Sequence, residues 1–149
     1  MLQSDTNNQE PMATVETVYL GELRTQATHV RSSEILITDA PPDNQGKGEY
    51  FSPTDLLATA LGSCTLTLIG IAARTHGFNA DGTQVHITKI MAENPRRVAE
   101  VRIEFDFPDQ PYTDKEKSII ENAARTCPVA KSLHPDLRQT FIFNYKPSR

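Results

Sequence analysis

The chain reads as an α+β protein, and three observations predict this. Several short runs of strand length precede the first helix. One long apolar run with a complete start signal forms that helix. A cleanly alternating strand then lies between it and a second, capped helix.

Taken in order, residues 1–12 are polar and without periodicity, and read as a flexible N-terminal tail. The remainder, 13–149, is of single-domain length. Val15 to Leu20, Leu23 to Val30 and Glu34 to Thr38 read as three strands. Asp39 to Gly48 is dense in proline, glycine and aspartate and must be a loop, long enough to be functional or mobile. Ser52 and Asp55 form a capping pair around Pro53, the favoured first helical residue. Leu57, Leu61, Cys64, Leu68 and Ile71 follow at helical spacing, with little charge before Arg74, so a buried central helix is expected. Gly77 is the natural stop. Val85 to Ala92 and Val98 to Phe107 read as a hairpin. In its second strand Val101, Ile103, Phe105 and Phe107 face one way, and Glu100, Arg102, Glu104 and Asp106 the other. Thr113 and Glu116 box the start of a second helix, whose inner stripe is Ile119, Ile120, Ala123, Ala124 and Cys127. Pro128 to Leu133 is a short helix and Gln139 to Tyr145 a closing strand.

Composition narrows the function. The net charge of −4 carries no basic footprint, so nucleic acid is not an expected partner. No apolar stretch is expected to reach the roughly 20 residues of a membrane span. The N-terminus shows no basic and apolar leader pattern. Two cysteines are too few for a secreted disulfide scaffold, which points to a reducing cytoplasm. His29, His76, His86 and His134 have no paired ligand spacing, so no metal is expected. Phosphate-cradling and nucleophile-elbow motifs are absent from the sequence.

The chemistry therefore rests on Cys64 and Cys127, the only thiols. Cys64 lies inside an apolar helix, where desolvation disfavours a thiolate, and by position alone it reads as a core residue. Cys127 stands between a helix end and Pro128, where it could cap the next helix. Backbone N–H groups there would lower its pKa if it were exposed. A helix-terminal core residue is the alternative.

Two segments carry a resemblance. Phe51-Ser-Pro-Thr-Asp-Leu-Leu-Ala-Thr-Ala-Leu-Gly-Ser-Cys64 resembles the central-helix signature of the OsmC/Ohr family, and Ala123-Ala-Arg-Thr-Cys127-Pro-Val resembles its second, Cys-Pro signature. The intervening elements fit the family's order from about Val15 to Tyr145. The resemblance implies an OsmC-like fold, two β-sheets around long central helices in an intertwined homodimer. It also implies a thiol-dependent peroxidase acting on organic hydroperoxides in oxidative stress defence. Cys64 would be peroxidatic and Cys127 resolving, with an external dithiol as reductant and no metal or flavin cofactor. The family's assisting arginine falls on Arg24, with Arg31 as rival. Its glutamate is missing, because the typical Asn-Pro-Glu is Ser52-Pro53-Thr54 here. Asp55, a quarter turn away on the helix, and Glu49 upstream are the carboxylates in reach. A thiol–disulfide protein of another substrate and a non-enzymatic binding domain for a small apolar ligand are the alternatives.

Overall fold

The computed structural model describes residues 10–146, so most of the expected N-terminal tail lies outside the described residues. The chain divides into two units, residues 1–53 and 54–149.

The first unit is an antiparallel sheet in the order β1 (Val15–Gly21), β2 (Arg24–His29), β3 (Ile35–Asp39). Left-handed residues at Gly21, Glu22 and Leu23 make the tight turn between β1 and β2. The register pairs Arg24 with Asp39 and Thr25 with Thr38. Directly opposed residues share a face of a sheet, so Arg24 and Asp39 are cross-strand neighbours by geometry. Both faces of this sheet leave apolar groups exposed: Val18, Leu20 and Ile35 on one, Val15, Tyr19 and Leu36 on the other. The loop after β3 contains a short 3₁₀ turn at Pro42–Asn44.

In the second unit, α1 (Pro53–His76) is followed by the hairpin of β4 (Gln84–Ala92) and β5 (Arg97–Asp106). Then come α2 (Asp114–Arg125), the one-turn α3 (Pro128–Ser132) and β6 (Arg138–Asn144). The sheet order is β4-β5-β6, with β6 parallel to β5. This is the α+β arrangement the sequence predicts. Val101, Ile103, Phe105 and Phe107 bury almost completely, and Phe105 and Phe107 stack against Phe143 from β6. The capping box of α2 closes on both sides: Glu116 N donates to Thr113 Oγ1 at 3.1 Å, and Thr113 N donates to Glu116 Oε2 at 2.8 Å. Gly77 ends α1 at φ +76°, with Phe78 N donating to Ala73 O at 3.0 Å.

Three expectations need correction. Glu100 is not on a wet face: it is buried, accepting from Arg102 Nη2 at 3.1 Å and from Thr140 Oγ1 at 3.2 Å. Its position next to the bulge at Ala99, where β4 pairs Ile90 with Glu100 and then Met91 with Val98, breaks the simple alternation. Next, α1 is 24 residues long, and its most apolar window has a mean hydropathy of 1.9. By length and composition alone it could span a membrane, contrary to the expectation; its interrupting Thr and Ser residues are too weakly polar to lower the average. Third, α1 is not buried on most sides. Its inner row is Ala58, Leu61, Gly62, Thr65, Ile69 and Ala73, while Ile71 is more than half exposed. Apolar residues all round give no phase to the periodicity, and the small residues choose the face by admitting the closest approach.

Gly62 is the point of closest approach. A Cβ built there would overlap the Ile87 side chain of β4. Around Gly70 a Cβ would meet nothing within 4 Å. Gly62→Leu should therefore destabilise the protein by roughly 1–3 kcal/mol through overpacking, although leucine is the better helix former. Gly70→Ala should stabilise it by roughly 0.5–1 kcal/mol. Urea denaturation of both variants checks this; equal effects would show that α1 does not pack on β4 through Gly62.

Candidate functional site: a thiol pair and an arginine cluster

Cys64 sits in the middle of α1, half-buried, and Cys127 is fully buried at the N-cap of α3. The core places them together. Leu61 and Thr65 flank Cys64 on the buried row, while Ile120 and Ala124 carry the end of α2 into the same core. Cys64 is the neighbouring thiol that acts on Cys127, and both are free. Elsewhere Cys127 Sγ accepts from Ala130 N at 3.2 Å, so a sulfur does the capping that a serine or aspartate oxygen usually does.

The N-cap geometry at Cys127 is as expected, but the electrostatic consequence is the reverse. Burial pushes the Cys127 thiol above its ordinary range. The Ala130 N–H bond opposes this, and the Cys64 sulfur adds to it. Desolvation of a thiolate with no water around it outweighs one or two backbone N–H groups. Cys127 is thus held as a neutral thiol, whereas Cys64 is the sulfur that is partly open.

The second cluster belongs to the first unit. Arg24 Nε and Nη2 donate to Asp39 Oδ1 and Oδ2 at 2.7 and 2.8 Å, a two-pronged pair. Nη2 also donates to Glu49 Oε2 at 2.9 Å, and the Tyr50 ring lies 4.8 Å from the guanidinium carbon. Glu49 N closes the circle by donating to Asp39 Oδ2 at 3.1 Å. The guanidinium holds the Asp39 carboxyl below the usual carboxylate range despite its burial, and the two carboxylates hold Arg24 firmly protonated. Arg24 and Glu49, singled out from sequence, are therefore brought together. The rival Arg31 is exposed in the turn after β2. Asp39 was missed: it reads as the first residue of a loop, and only the β2–β3 register reveals it as the partner opposite Arg24.

A third arrangement was also missed. Lys89 Nζ on β4 donates to Thr54 Oγ1 and Asp55 Oδ1, both at 2.8 Å. Asp55 does not point away from Thr54, as its offset on the helix suggests; one flexible ammonium reaches both consecutive residues in the first turn of α1. The β4 alternation places Lys89 on the same side of the strand as Ile87 and Val85, which face α1. All four histidines are exposed, and the described residues contain no cluster able to hold a metal.

Residues 46–140, more than half of the chain, match the family model described as OsmC-like protein. The chain belongs to the OsmC-like family. Among solved structures, a candidate osmotic stress induced and detoxification response protein from Psychrobacter arcticus 273-4 is 53% identical. It matches over 92% of this chain and 99% of its own, at a TM-score of 0.87. The OsmC-like protein of Mycoplasma pneumoniae is 18% identical over 92% of this chain and 99% of its own, at 0.74. An organic hydroperoxide resistance protein OsmC from Legionella pneumophila is 12% identical over 91% and 99%, at 0.71. The last two share the OsmC-like fold. Among curated proteins none matches the sequence.

The raised Cys127 pKa has a signed consequence. Its contribution to stability is complete below the unfolded thiol value of about 8.5 and is lost as pH rises toward the raised native value. Between about pH 8.5 and 9.5, the reduced protein should lose stability more steeply than Cys127→Ala. Urea midpoints across that range measure it, and parallel slopes would contradict a buried neutral Cys127.

Proposed function

We propose that this OsmC-like protein is a thiol peroxidase that reduces organic hydroperoxides through a two-cysteine cycle. The observation that supports the reading most is that a partly open Cys64 neighbours a buried Cys127 whose thiol is pushed toward its protonated form. The names of related proteins, detoxification response and organic hydroperoxide resistance, agree with it.

In this reading the Cys64 thiolate attacks the outer oxygen of the hydroperoxide. An S–O bond forms, the O–O bond breaks, and the alkoxide leaves as an alcohol after taking a proton. Cys64 is then a sulfenic acid. Cys127 attacks that sulfur, the S–S bond forms, and the displaced hydroxide takes the Cys127 proton to leave as water. An external dithiol reduces the disulfide by exchange and is itself oxidised. A resolver that keeps its proton until the sulfenic acid forms does not compete with Cys64 for oxidant, because the thiolate is the reactive form.

Arg24 is assigned by family resemblance to stabilise the thiolate and the charge developing on the peroxide, with Glu49 in the role of the family glutamate. The Arg24–Glu49 bond supports that pairing. The active form would be a cytoplasmic homodimer. Its support is the first unit's sheet, whose exposed Val15, Val18, Tyr19, Leu20, Ile35 and Leu36 need cover.

One observation favours a second reading. Where relatives carry a carboxylate at Thr54, this chain presents the ammonium of Lys89. That substitution suits a thiol–disulfide protein using a different oxidant. Turnover of cumene hydroperoxide with a dithiol separates the two. The peroxidase reading expects peroxide consumption that Cys64→Ser abolishes, with a loss of at least about a hundredfold. Unchanged consumption in Cys64→Ser would overturn the assignment. No consumption by wild type, with dithiol–disulfide cycling intact, would select the second reading.

A further inference from the structure

The loop between β3 and α1 is held by charges of very different exposure. Its ends are tied by Asp39 N donating to Phe51 O at 3.1 Å. Inside, Pro41 O accepts from Asn44 N at 2.9 Å and from Gly46 N at 3.0 Å. A Cβ on Gly46 would overlap the Ala40 carbonyl, so the loop closes tightly upon itself. Closed ends and internal bonds make it a compact Ω-type loop.

Two kinds of contact fasten this loop. The inner ones meet at Asp39, only 1% exposed: Arg24 grips it with two prongs, and Glu49 N donates to its Oδ2 at 3.1 Å. The outer ones lie in water: Lys47 Nζ to Glu22 Oε2 at 2.6 Å, where Glu22 is 76% exposed, and Arg24 Nη2 to Glu49 Oε2 at 2.9 Å, where Glu49 is 62% exposed. Exposed pairs are weak and screened by salt, while a buried two-pronged pair is neither.

We propose that residues 41–48 form a charge-latched flap, which opens when the Lys47–Glu22 and Arg24–Glu49 side-chain pairs separate while Arg24 and the Glu49 N–H stay on Asp39. Arg24 Nη1 makes no hydrogen bond to the described residues. Opening would add the Nη2 proton given to Glu49, so a stationary cation gains donors for an incoming acceptor. Salt then regulates access to the guanidinium. The bearing on catalysis rests on the role proposed for Arg24; the latch itself does not.

Hydrogen exchange followed by mass spectrometry on the reduced full-length protein tests it, at about 0.02 M and about 0.5 M NaCl. Exchange is referred to an unstructured control peptide. In wild type, peptides covering residues 43–48 should exchange roughly two- to fivefold faster at high salt. The β2–β3 ladder around Gln26 and Ile37 should not change. Lys47→Ala and Glu22→Gln should both exchange fast already at low salt and lose the salt response. A salt-insensitive loop in wild type overturns the proposal. So does an equal acceleration of the ladder, or a full salt response in either variant. None of these outcomes depends on whether the protein turns over peroxide.

Discussion

The pairing of two neighbouring thiols, one on α1 and one at the start of α3, is what the chemistry of this chain depends on. Neither cysteine is remarkable by itself. A fully buried thiol such as Cys127 has little reason to ionise. Placed together they form a unit in which one sulfur is accessible and the other waits as a neutral thiol. The asymmetry comes from burial, and burial comes from the core. Ile120 and Ala124 anchor the end of α2, Pro128 begins the next turn at once, and Cys127 is left facing inward between them.

The same core fixes where Cys64 can be. α1 meets the sheet through a row of small and medium residues, and Gly62 lets the helix come down onto Ile87. Cys64 is two positions further along, off the buried row but not in open water. A helix rotated to bury the Leu57–Leu68 side would carry Cys64 into the core instead. Packing at Gly62 is therefore also a statement about the reactivity of the thiol.

Much of the fold was legible in the sequence because its signals are local. Thr113 and Glu116, Pro53, Gly77 and the alternation from Val101 to Phe107 each act within a few residues, and each appears where expected. What was not legible depends on long-range geometry. The face of α1 could not be read because an evenly apolar helix has no phase. Asp39 could not be read as the partner of Arg24 without the register of β2 on β3. Lys89 reaches Thr54 and Asp55 across 34 residues or more of chain. The direction of the Cys127 shift needed the degree of burial, since a capping position and a buried position push a thiol pKa in opposite ways.

The most direct test of the thiol pair is its oxidation with one equivalent of cumene hydroperoxide, followed by alkylation and peptide mass mapping. A Cys64–Cys127 disulfide, with both thiols recovered after dithiothreitol, is the predicted result. Cys64 carried on to sulfinic or sulfonic acid while Cys127 stays alkylatable would contradict it.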